Sequence, residues 1–432
     1  MTINDLRKIA PGLKSIERIE LPEPEKYLLD NGIPVFLIDA GTQELSRVEL
    51  VYEAGSFHQS QVLQAFFTNK CLTEGTESFN SKSIAETIDF YGAYLKKSNE
   101  KDLATISLYS LNKHLDKLLP VLHEVALKPT FPEGEVETIV KKQQQEFLVN
   151  MDKVSFIARH KFSSLIFGKN HPYGQMALEG DYANVSSSLL RKYFEERYLG
   201  AKFTIIVSGK VSEKIIEKLN YYFGKHPIKQ KPGSQHIPAL STIAQKNQFI
   251  AKDGALQSAL RLGNPSFNKL HPDYLKFKVV NTIFGGYFGS RLMTNIREDK
   301  GYTYGIGSGI ASLRHAGMFF IASEVGVDVT QKALDEVFIE IEKMRTELVA
   351  DEELSLVKNY LAGSFLRSAD GPFSRAELFK GVFPYGLNME YYSRFLDTIK
   401  NITTEEIRDL AVSYLQPDSM VRLVVGENNP ER

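Results

Sequence analysis

The sequence contains one cysteine, Cys71, among 432 residues and almost no excess of either charge. A single cysteine allows no internal disulfide and no cluster of thiolate metal ligands. The 52 basic and 53 acidic residues give a net charge of −1, without the basic excess that is typical of proteins that bind nucleic acids or anionic membranes. These absences disfavour nucleic-acid and membrane partners, and they are compatible with a reducing compartment.

Long apolar segments are also missing. The first 20 residues have no apolar core of signal-peptide length and no small-residue cleavage site, and they carry acidic residues, unlike a mitochondrial presequence. No apolar run elsewhere approaches the length that spans a bilayer. We therefore expect a cytoplasmic protein without a signal peptide or a membrane-spanning helix.

The composition is that of an ordinary globular protein, with 43% hydrophobic and 24% charged residues and enough length for two or three domains. Segment 225–241 is rich in proline, glycine, lysine and glutamine, which is typical of a linker. We predict an N-terminal domain at 1–224, this linker, and a C-terminal domain at 242–432.

A weak internal repeat relates the two halves. Val185–Gly209 and Ile402–Gly426 both have the pattern of a helix followed by a strand, at an offset of 402 − 185 = 217. The tripeptide Pro172–Gly174 recurs as Pro384–Gly386. A chance likeness of helix-to-strand units is the alternative, but the shared position within each half favours duplication. The predicted fold class is α+β: two tandem homologous α/β domains, each a mostly antiparallel sheet covered by helices on one face.

Local patterns predict individual helices. Gln61–Leu72 is typical of a helix, and Ser83–Glu86 has the pattern of a capping box that begins another one. A long helical stretch extends from Pro132 to about Ile166.

The histidines are spaced too widely for a local metal site. A catalytic zinc needs three protein ligands and one open position. The nine histidines are His58, His114, His123, His160, His171, His226, His236, His271 and His315. No two of them lie three to five residues apart, so no helix face or short loop offers a pair of imidazoles.

Several short stretches, spread over the whole chain, form a recognisable series. They are Leu29–Gly32, Ala54–Ser56, Leu72–Thr76, His171–Gly174, Gly285–Leu292 and Arg297–Tyr304. In this order and spacing they resemble the pitrilysin/insulysin-type metallopeptidases, which carry the inverted zinc motif His-x-x-Glu-His and include the mitochondrial processing peptidases. The resemblance implies a tandem pair of α/β domains around a large cavity, usually completed by a second two-domain unit.

The resemblance places the zinc motif on a degenerate segment of this chain. Counted back from the Gly-Thr at 75–76, the two histidine positions fall on Phe66 and Lys70, and the general-base position falls on Asn69. The family's third ligand corresponds to Glu146. A phenyl ring has no lone pair for a metal, asparagine is a poor base, and a lysine ammonium repels Zn²⁺. We therefore predict no metal and no cofactor in this chain, with zinc carried by a partner.

Glu146 has two interpretations. It is able to pair with Lys70 in a buried ion pair, which is one hypothesis. Alternatively it belongs to a solvated helix face, because it follows the polar run Lys141–Gln145.

Arg297 and Tyr304 match a substrate-binding pair of the family. The resemblance implies that they lie across the cavity from the zinc and hold the substrate chain. A guanidinium and a phenol suit that role because both donate hydrogen bonds to peptide carbonyls. The alternative is that Arg297 pairs with Glu298 or Asp299 and that Tyr304 is a half-buried strand residue.

The leading hypothesis is a non-catalytic, substrate-binding subunit of a two-chain zinc metallopeptidase that acts on peptides. A homologous zinc-bearing subunit would be its partner, with a homodimer possible for the isolated chain. The second hypothesis is a catalytically inert structural or interaction subunit, like the core subunits of the respiratory bc1 complex. The least favoured hypothesis is an active homodimeric enzyme, because no nucleophile–base arrangement stands out in the sequence.

Overall fold

The computed structural model describes residues 19, 21–200, 203–225, 227, 237 and 246–427. Its strands form one sheet in each half of the chain. The first sheet contains β1 (Glu25–Leu28), β2 (Pro34–Asp39), β3 (Leu45–Tyr52), β4 (Tyr94–Asn99), β5 (Ala104–Leu111) and β6 (Thr204–Gly209). The second sheet contains β7 (Asn247–Ala251), β8 (Gln257–Ser266), β9 (Thr303–Ser312), β10 (Gly317–Gly326) and β11 (Val421–Gly426). Most of the predicted linker 225–241 lies outside the described residues, so the domain boundaries stay a prediction.

Helices make up most of the remaining described chain. The first half contains α1 (Gln64–Lys70), α2 (Ser81–Phe90), α3 (Leu115–Leu127), α4 (Glu133–Asn150), α5 (Val154–Phe167), α6 (Ser187–Phe194) and α7 (Lys214–Phe223). The second half contains α8 (Tyr274–Asn281), α9 (Thr330–Thr346), α10 (Asp351–Ser368), α11 (Pro372–Val382), α12 (Glu390–Asn401) and α13 (Thr404–Tyr414). Among the residues described, no helix combines the length and apolarity needed to cross a membrane.

The two sheets share the same central arrangement of strands. The first sheet has the order β1-β2-β6-β3-β5-β4, and the second has the order β7-β11-β8-β10-β9. Neighbouring strands are antiparallel except for the pairs β2–β6 and β7–β11, which are parallel. The predicted α+β class with two mostly antiparallel sheets is confirmed.

The predicted repeat has the same local geometry in both halves. The Ser186 hydroxyl accepts a hydrogen bond from the Leu189 amide at 3.3 Å and caps α6, and the Thr403 hydroxyl accepts one from the Glu406 amide at 3.3 Å and caps α13. A side-chain oxygen at this position satisfies an amide that the helix itself leaves free. The two caps lie 403 − 186 = 217 residues apart, and both helices lead to the strand that has one parallel and one antiparallel neighbour. This equivalence supports duplication.

Each sheet packs one face on helices of its own half. Val48 and Leu50 of β3 are fully buried in an apolar core that includes α3 and α4. Leu260 and Leu262 of β8 are buried in a second core with residues of α9 such as Val337. Removal of this apolar surface from water is the main stabilising term of both halves.

The opposite face of each sheet is covered by a helix from the other half. Phe162 of α5, in the first half, shares an apolar cluster with Ala259 and Leu423 of the second sheet. Phe379 of α11, in the second half, shares a cluster with Val51 of the first sheet. The prediction had helices on one face of each sheet, whereas the structure also has a helix of the other half on the second face. This exchange of α5 and α11 joins the two halves.

The helical stretch predicted from Pro132 to Ile166 is two helices. A turn at 151–153 separates α4 from α5 and brings the rings of Phe147 and Phe156 to 5.9 Å between centroids. The break was not predictable from helical periodicity, because it depends on the packing of α5 against the other half's sheet.

The predicted capping box at Ser83–Glu86 is also displaced. The side-chain oxygen of Asn80 accepts a hydrogen bond from the Ser83 amide at 2.8 Å, so Asn80 caps α2. Ser83 therefore lies in the first turn rather than at the cap.

Candidate functional site

The degenerate zinc motif lies on α1, inside the helix predicted for Gln61–Leu72. Phe66, at the first histidine position, is 36% exposed. The Lys70 ammonium, at the second histidine position, lies 5.7 Å from the centre of the Phe66 ring. Residues four apart share a helix face, so a cation–π contact occupies the face on which two imidazoles would bind zinc.

Asn69, at the general-base position, has a structural role. Its side chain is buried, and its amide nitrogen donates hydrogen bonds to the Thr105 carbonyl at 3.3 Å and to the Tyr198 hydroxyl at 3.2 Å. These bonds connect α1 to β5 and to the π-helical turn at Glu195–Leu199. A buried amide that donates in this way is a fixed connector and has no capacity to remove a proton.

Lys97, which the sequence analysis missed, places a second ammonium at the end of α1. The Lys97 Nζ donates to the Lys70 carbonyl and, at 2.5 Å, to the Thr73 hydroxyl, and it lies 3.9 Å from the Glu74 carboxylate. Burial lowers the pKa of Lys97 to about 8. The sequence signal for Lys97 was its position on β4, because alternate residues of a strand face the same side.

Glu146 is close to the motif helix but does not pair with Lys70. The Tyr182 ring lies 6.0 Å from Phe67 of α1 and 5.5 Å from Phe147 of α4, measured between centroids. Glu146 itself is exposed and accepts a hydrogen bond from the Gln143 side chain at 2.5 Å. No ion pair between Lys70 and Glu146 occurs in the part of the chain that the structure describes. The solvated helix face is therefore the correct interpretation of Glu146.

These residues do not fit a zinc ion. An aromatic ring, a hydrogen-bonded amide and two ammonium groups surround the place where the family motif has its ligands and base. Within the described ranges, no three His, Cys, Asp or Glu side chains lie together as a metal site requires. Cys71 adds no ligand, because burial raises the pKa of its thiol to about 12 and a metal binds the thiolate.

Arg297 lies at the end of a π-helical turn, Met293–Asp299, in the second half. Gly301, with a φ of +69°, reverses the chain, and the Tyr302 amide then donates to the Ile296 carbonyl at 3.0 Å. The Arg297 guanidinium lies 4.5 Å from the centre of the Phe288 ring. Among described residues it forms no hydrogen bond or ion pair, so the alternative pairing with Glu298 or Asp299 is absent.

Tyr304 lies at the start of β9 with its side chain in solvent. It is 92% exposed, so it is not the half-buried strand residue of the alternative interpretation. Its hydroxyl forms no hydrogen bond with the described part of the chain. The turn at Gly301 thus connects two residues, Arg297 and Tyr304, whose hydrogen-bond donors are available to a ligand.

A hollow of about 350 Å³ lies beside Tyr304, on the face of the second sheet that α5 partly covers. We call it the Tyr304 hollow. Its polar lining consists of Gln257, Arg261, Thr303, Tyr304, Ser323 and Glu324. Sequence reasoning did not identify Arg261, because the hollow forms only when β8, β9 and β10 pair.

Two family models match adjoining parts of the chain. The model described as insulinase (peptidase family M16) matches residues 35–169, and the model described as peptidase M16 inactive domain matches residues 184–361. The first covers the degenerate motif, and the second covers Arg297 and Tyr304.

Relatives are similar over most of their length. An uncharacterized zinc protease, YmxG, of Bacillus subtilis is 24% identical over 355 residues, covering 81% of this chain and 86% of the relative. The non-peptidase homolog YmxG of Helicobacter pylori is 20% identical over 410 residues, covering 93% of both chains. The mitochondrial-processing peptidase subunit beta of Saccharomyces cerevisiae is 22% identical over 410 residues, covering 89% and 85%.

A solved structure has the same fold. The peptidase M16 inactive domain from Pseudomonas fluorescens superimposes with a TM-score of 0.84 at 23% identity, covering 94% of this chain and 98% of that one. The resemblance inferred from sequence is confirmed by the two family models, which together span most of both halves. This chain belongs to the insulinase family of peptidases, M16.

Proposed function

We propose that this chain is the non-catalytic, substrate-binding subunit of a two-chain zinc metallopeptidase and supplies Arg297 and Tyr304 to a zinc site on its partner. Two relatives support this assignment by their names, a non-peptidase homolog and a peptidase subunit. The chemistry of the motif positions supports it as well, because they offer neither ligands nor a base for zinc. The partner is a homologous chain with an intact His-x-x-Glu-His motif, and both chains are cytoplasmic.

The observation that carries the proposal is that the Arg297 and Tyr304 side chains have free donors in the described structure, while the motif positions offer neither a metal ligand nor a base. Contact with Phe288 holds the Arg297 guanidinium in place without using its N–H groups. Hydrogen-bond donors that are held in position and unpaired are suited to bind peptide carbonyl oxygens and to stabilise the negative charge that develops during hydrolysis. This chain thus orients the substrate, and the partner performs the chemistry.

The test is reconstitution with a homologous chain that carries the intact motif. We expect the mixture to cleave unstructured peptides and each chain alone to be inactive. Arg297→Ala and Tyr304→Phe are expected to lower kcat/KM by about a hundredfold to a thousandfold, the range for loss of one positioned oxyanion donor. Arg422→Ala is the matched control, because Arg422 also lies over an aromatic ring, Phe338, at 4.1 Å. A mixture that stays fully active with Arg297→Ala would refute the shared site.

The hydrogen bonds of Asn69 and Lys97 favour a second candidate, an inert structural subunit. These bonds connect the motif helix, α1, and the turn that follows it to β4 and β5. In that case the chain would form a stable complex, and neither the complex nor its Arg297→Ala variant would cleave any peptide. Size-exclusion chromatography together with the cleavage assay separates the two candidates.

A further inference from the structure

Arg261 is a partly buried cation on the second sheet. It lies on β8 between Ala322 of β10 and Leu423 of β11, on the face that α5 partly covers. Within the described chain, its guanidinium forms no hydrogen bond and no ion pair. A guanidinium has five N–H donors, so those of Arg261 are left to water or to a ligand in the Tyr304 hollow.

The equivalent position in the first half holds a charge that has ion-pair partners, Arg47 and Lys380. Glu49 pairs with Ile206 across β3 and β6, and Arg261 pairs with Leu423 across β8 and β11; these partners are 423 − 206 = 217 residues apart. Glu49 accepts hydrogen bonds from Ser107 at 2.9 Å and from Lys380 at 2.8 Å. The duplication therefore places an internally neutralised charge in one half and an unneutralised one in the other.

The charges around Arg261 leave the hollow positive. Burial, followed by the positive charge of Arg159 on α5, lowers the pKa of Arg261, and Glu324 opposes this change. Arg159 is exposed and, in the described part of the chain, has no ion-pair partner. Glu324 is exposed as well and lies more than the 4.0 Å of an ion pair from Arg261. Two cations and one carboxylate give a net positive site.

The shape of this site suits a carboxylate. A guanidinium fork matches the two oxygens of a carboxylate and forms two parallel hydrogen bonds with them. These bonds are stronger where the surface is partly shielded from water. The cavity of about 350 Å³ admits one side chain or chain end of a peptide. Tyr304 lines the same hollow, so a peptide that contacts its hydroxyl has a flanking residue within reach of Arg261.

We propose that the Tyr304 hollow binds a carboxylate of the substrate peptide through the Arg261 guanidinium, so that this subunit selects acidic peptides. The proposal rests on the proposed substrate-binding function. The carboxylate comes either from an aspartate or glutamate side chain or from the C-terminus of the peptide. Both sources present the same pair of oxygens to Arg261.

The test is direct binding to the isolated full-length chain, measured by fluorescence anisotropy. Four labelled peptides of one unstructured sequence are compared: a glutamate or a glutamine at the central position, each with a free or an amidated C-terminus. We expect the wild-type chain to bind the acid about tenfold more tightly than the amide in one of the two comparisons, glutamate against glutamine or free against amidated C-terminus, as for a charge-assisted hydrogen bond at a partly exposed site. The pair that shows the difference identifies the source of the carboxylate.

Variants assign the difference to Arg261. Arg261→Gln should abolish the preference, and Arg261→Lys should retain part of it, because lysine keeps the charge but loses the fork. Glu324→Gln should increase the preference, since it removes the repelling carboxylate. Arg422→Gln, which removes the same charge from the same sheet, should leave it unchanged. Thermal unfolding verifies that each variant is folded.

The outcomes separate this proposal from the proposed function. Equal affinities for acid and amide peptides, a preference that survives Arg261→Gln, or failure to bind any of the four peptides would overturn it. Loss of activity with Arg297→Ala but no acid preference would leave the subunit role intact and refute the carboxylate site. An acid preference that depends on Arg261, together with activity that is insensitive to Arg297→Ala, would support the carboxylate site and refute the shared active site.

Discussion

Each half has a hollow at the equivalent place on its sheet, but the charged residues that line the two hollows are paired differently. In the first half, a hollow of about 290 Å³ between the sheet and α11 contains Glu49, Glu377 and Lys380. Arg47 completes the group, at 2.5 Å from Glu377 and 3.4 Å from Glu49. The two cations and two anions of this group balance one another, and the other charged lining residues, Lys96 and Glu100, also have opposite charges. Among the residues that the structure describes, Arg261 in the Tyr304 hollow has no such partner.

The difference shows how one architecture either neutralises a charge internally or leaves it available to a ligand. Ion pairs between the buried Arg47 and Glu49 of the sheet and Glu377 and Lys380 of α11 hold this helix of one half against the sheet of the other. Loss of a partner would leave a buried charge unpaired, which is costly. A charge left unpaired in the equivalent position adds nothing to that docking, and its donors remain available to a ligand. The pairing of the charges, rather than the fold, distinguishes the two hollows.

The largest expected effect comes from breaking the paired hollow. Glu49→Gln leaves Arg47 and Lys380 with one anion between them, in a place where Glu49 and Arg47 are 1% and 2% exposed. We expect the free energy of unfolding to fall by about 3–5 kcal/mol, the range for a buried pair that loses one member. Urea denaturation measures it. Glu377→Gln is the control, because that side chain is 52% exposed and its loss should cost about 1 kcal/mol or less. Equal effects of the two substitutions would refute the role given to burial.

An intermediate effect is expected from Lys97, the buried cation at the end of α1. Its pKa of about 8, against the ordinary value of 10.5, means that the unfolded chain binds more protons than the folded chain between these pH values. Stability should therefore rise with pH by about 2 kcal/mol between pH 8 and about pH 10, and Lys97 should cause no further change below pH 8, where both states hold the proton. Lys97→Met should remove this rise, which a comparison of unfolding curves for the two proteins would reveal. Parallel pH profiles would show that Lys97 is not the titrating group.

The smallest effect on stability is expected at the unpaired position. Arg261→Gln removes no hydrogen bond or ion pair of the described chain, so the free energy of unfolding should change by no more than about 0.5 kcal/mol. The measurement is the same urea series used for Glu49→Gln, the substitution at the equivalent position. A loss of several kcal/mol would mean that Arg261 supports the fold and would remove the contrast between the two hollows.

Motif reasoning identified the features that depend on residue type alone. Phe66, Asn69 and Lys70 occupy the family's ligand and base positions, and their chemistry excludes a zinc site wherever the helix lies. The repeat at an offset of 217 was visible because the same cap and strand signals recur in order. Such local signals survive in a one-dimensional pattern.

Residues whose roles arise from distant contacts were missed. Asn69 was identified as a lost base, but its bonds to Thr105 and Tyr198 join segments that are far apart in the chain. The break between α4 and α5 reflects the sheet on which α5 packs. Arg261 has no distinguishing pattern around it, since an arginine on a strand is paired or unpaired only according to its neighbours in space.

The amino-acid sequence by itself determined the family, the α+β class and the loss of zinc chemistry, because motif spacing, periodicity and the lone pairs of side chains are properties of the chain. Only the tertiary structure decided which charges are neutralised and which donors remain free. Pairing depends on distances of a few ångströms between residues that the exchange of α5 and α11 brings together, and those distances are not encoded in any local pattern.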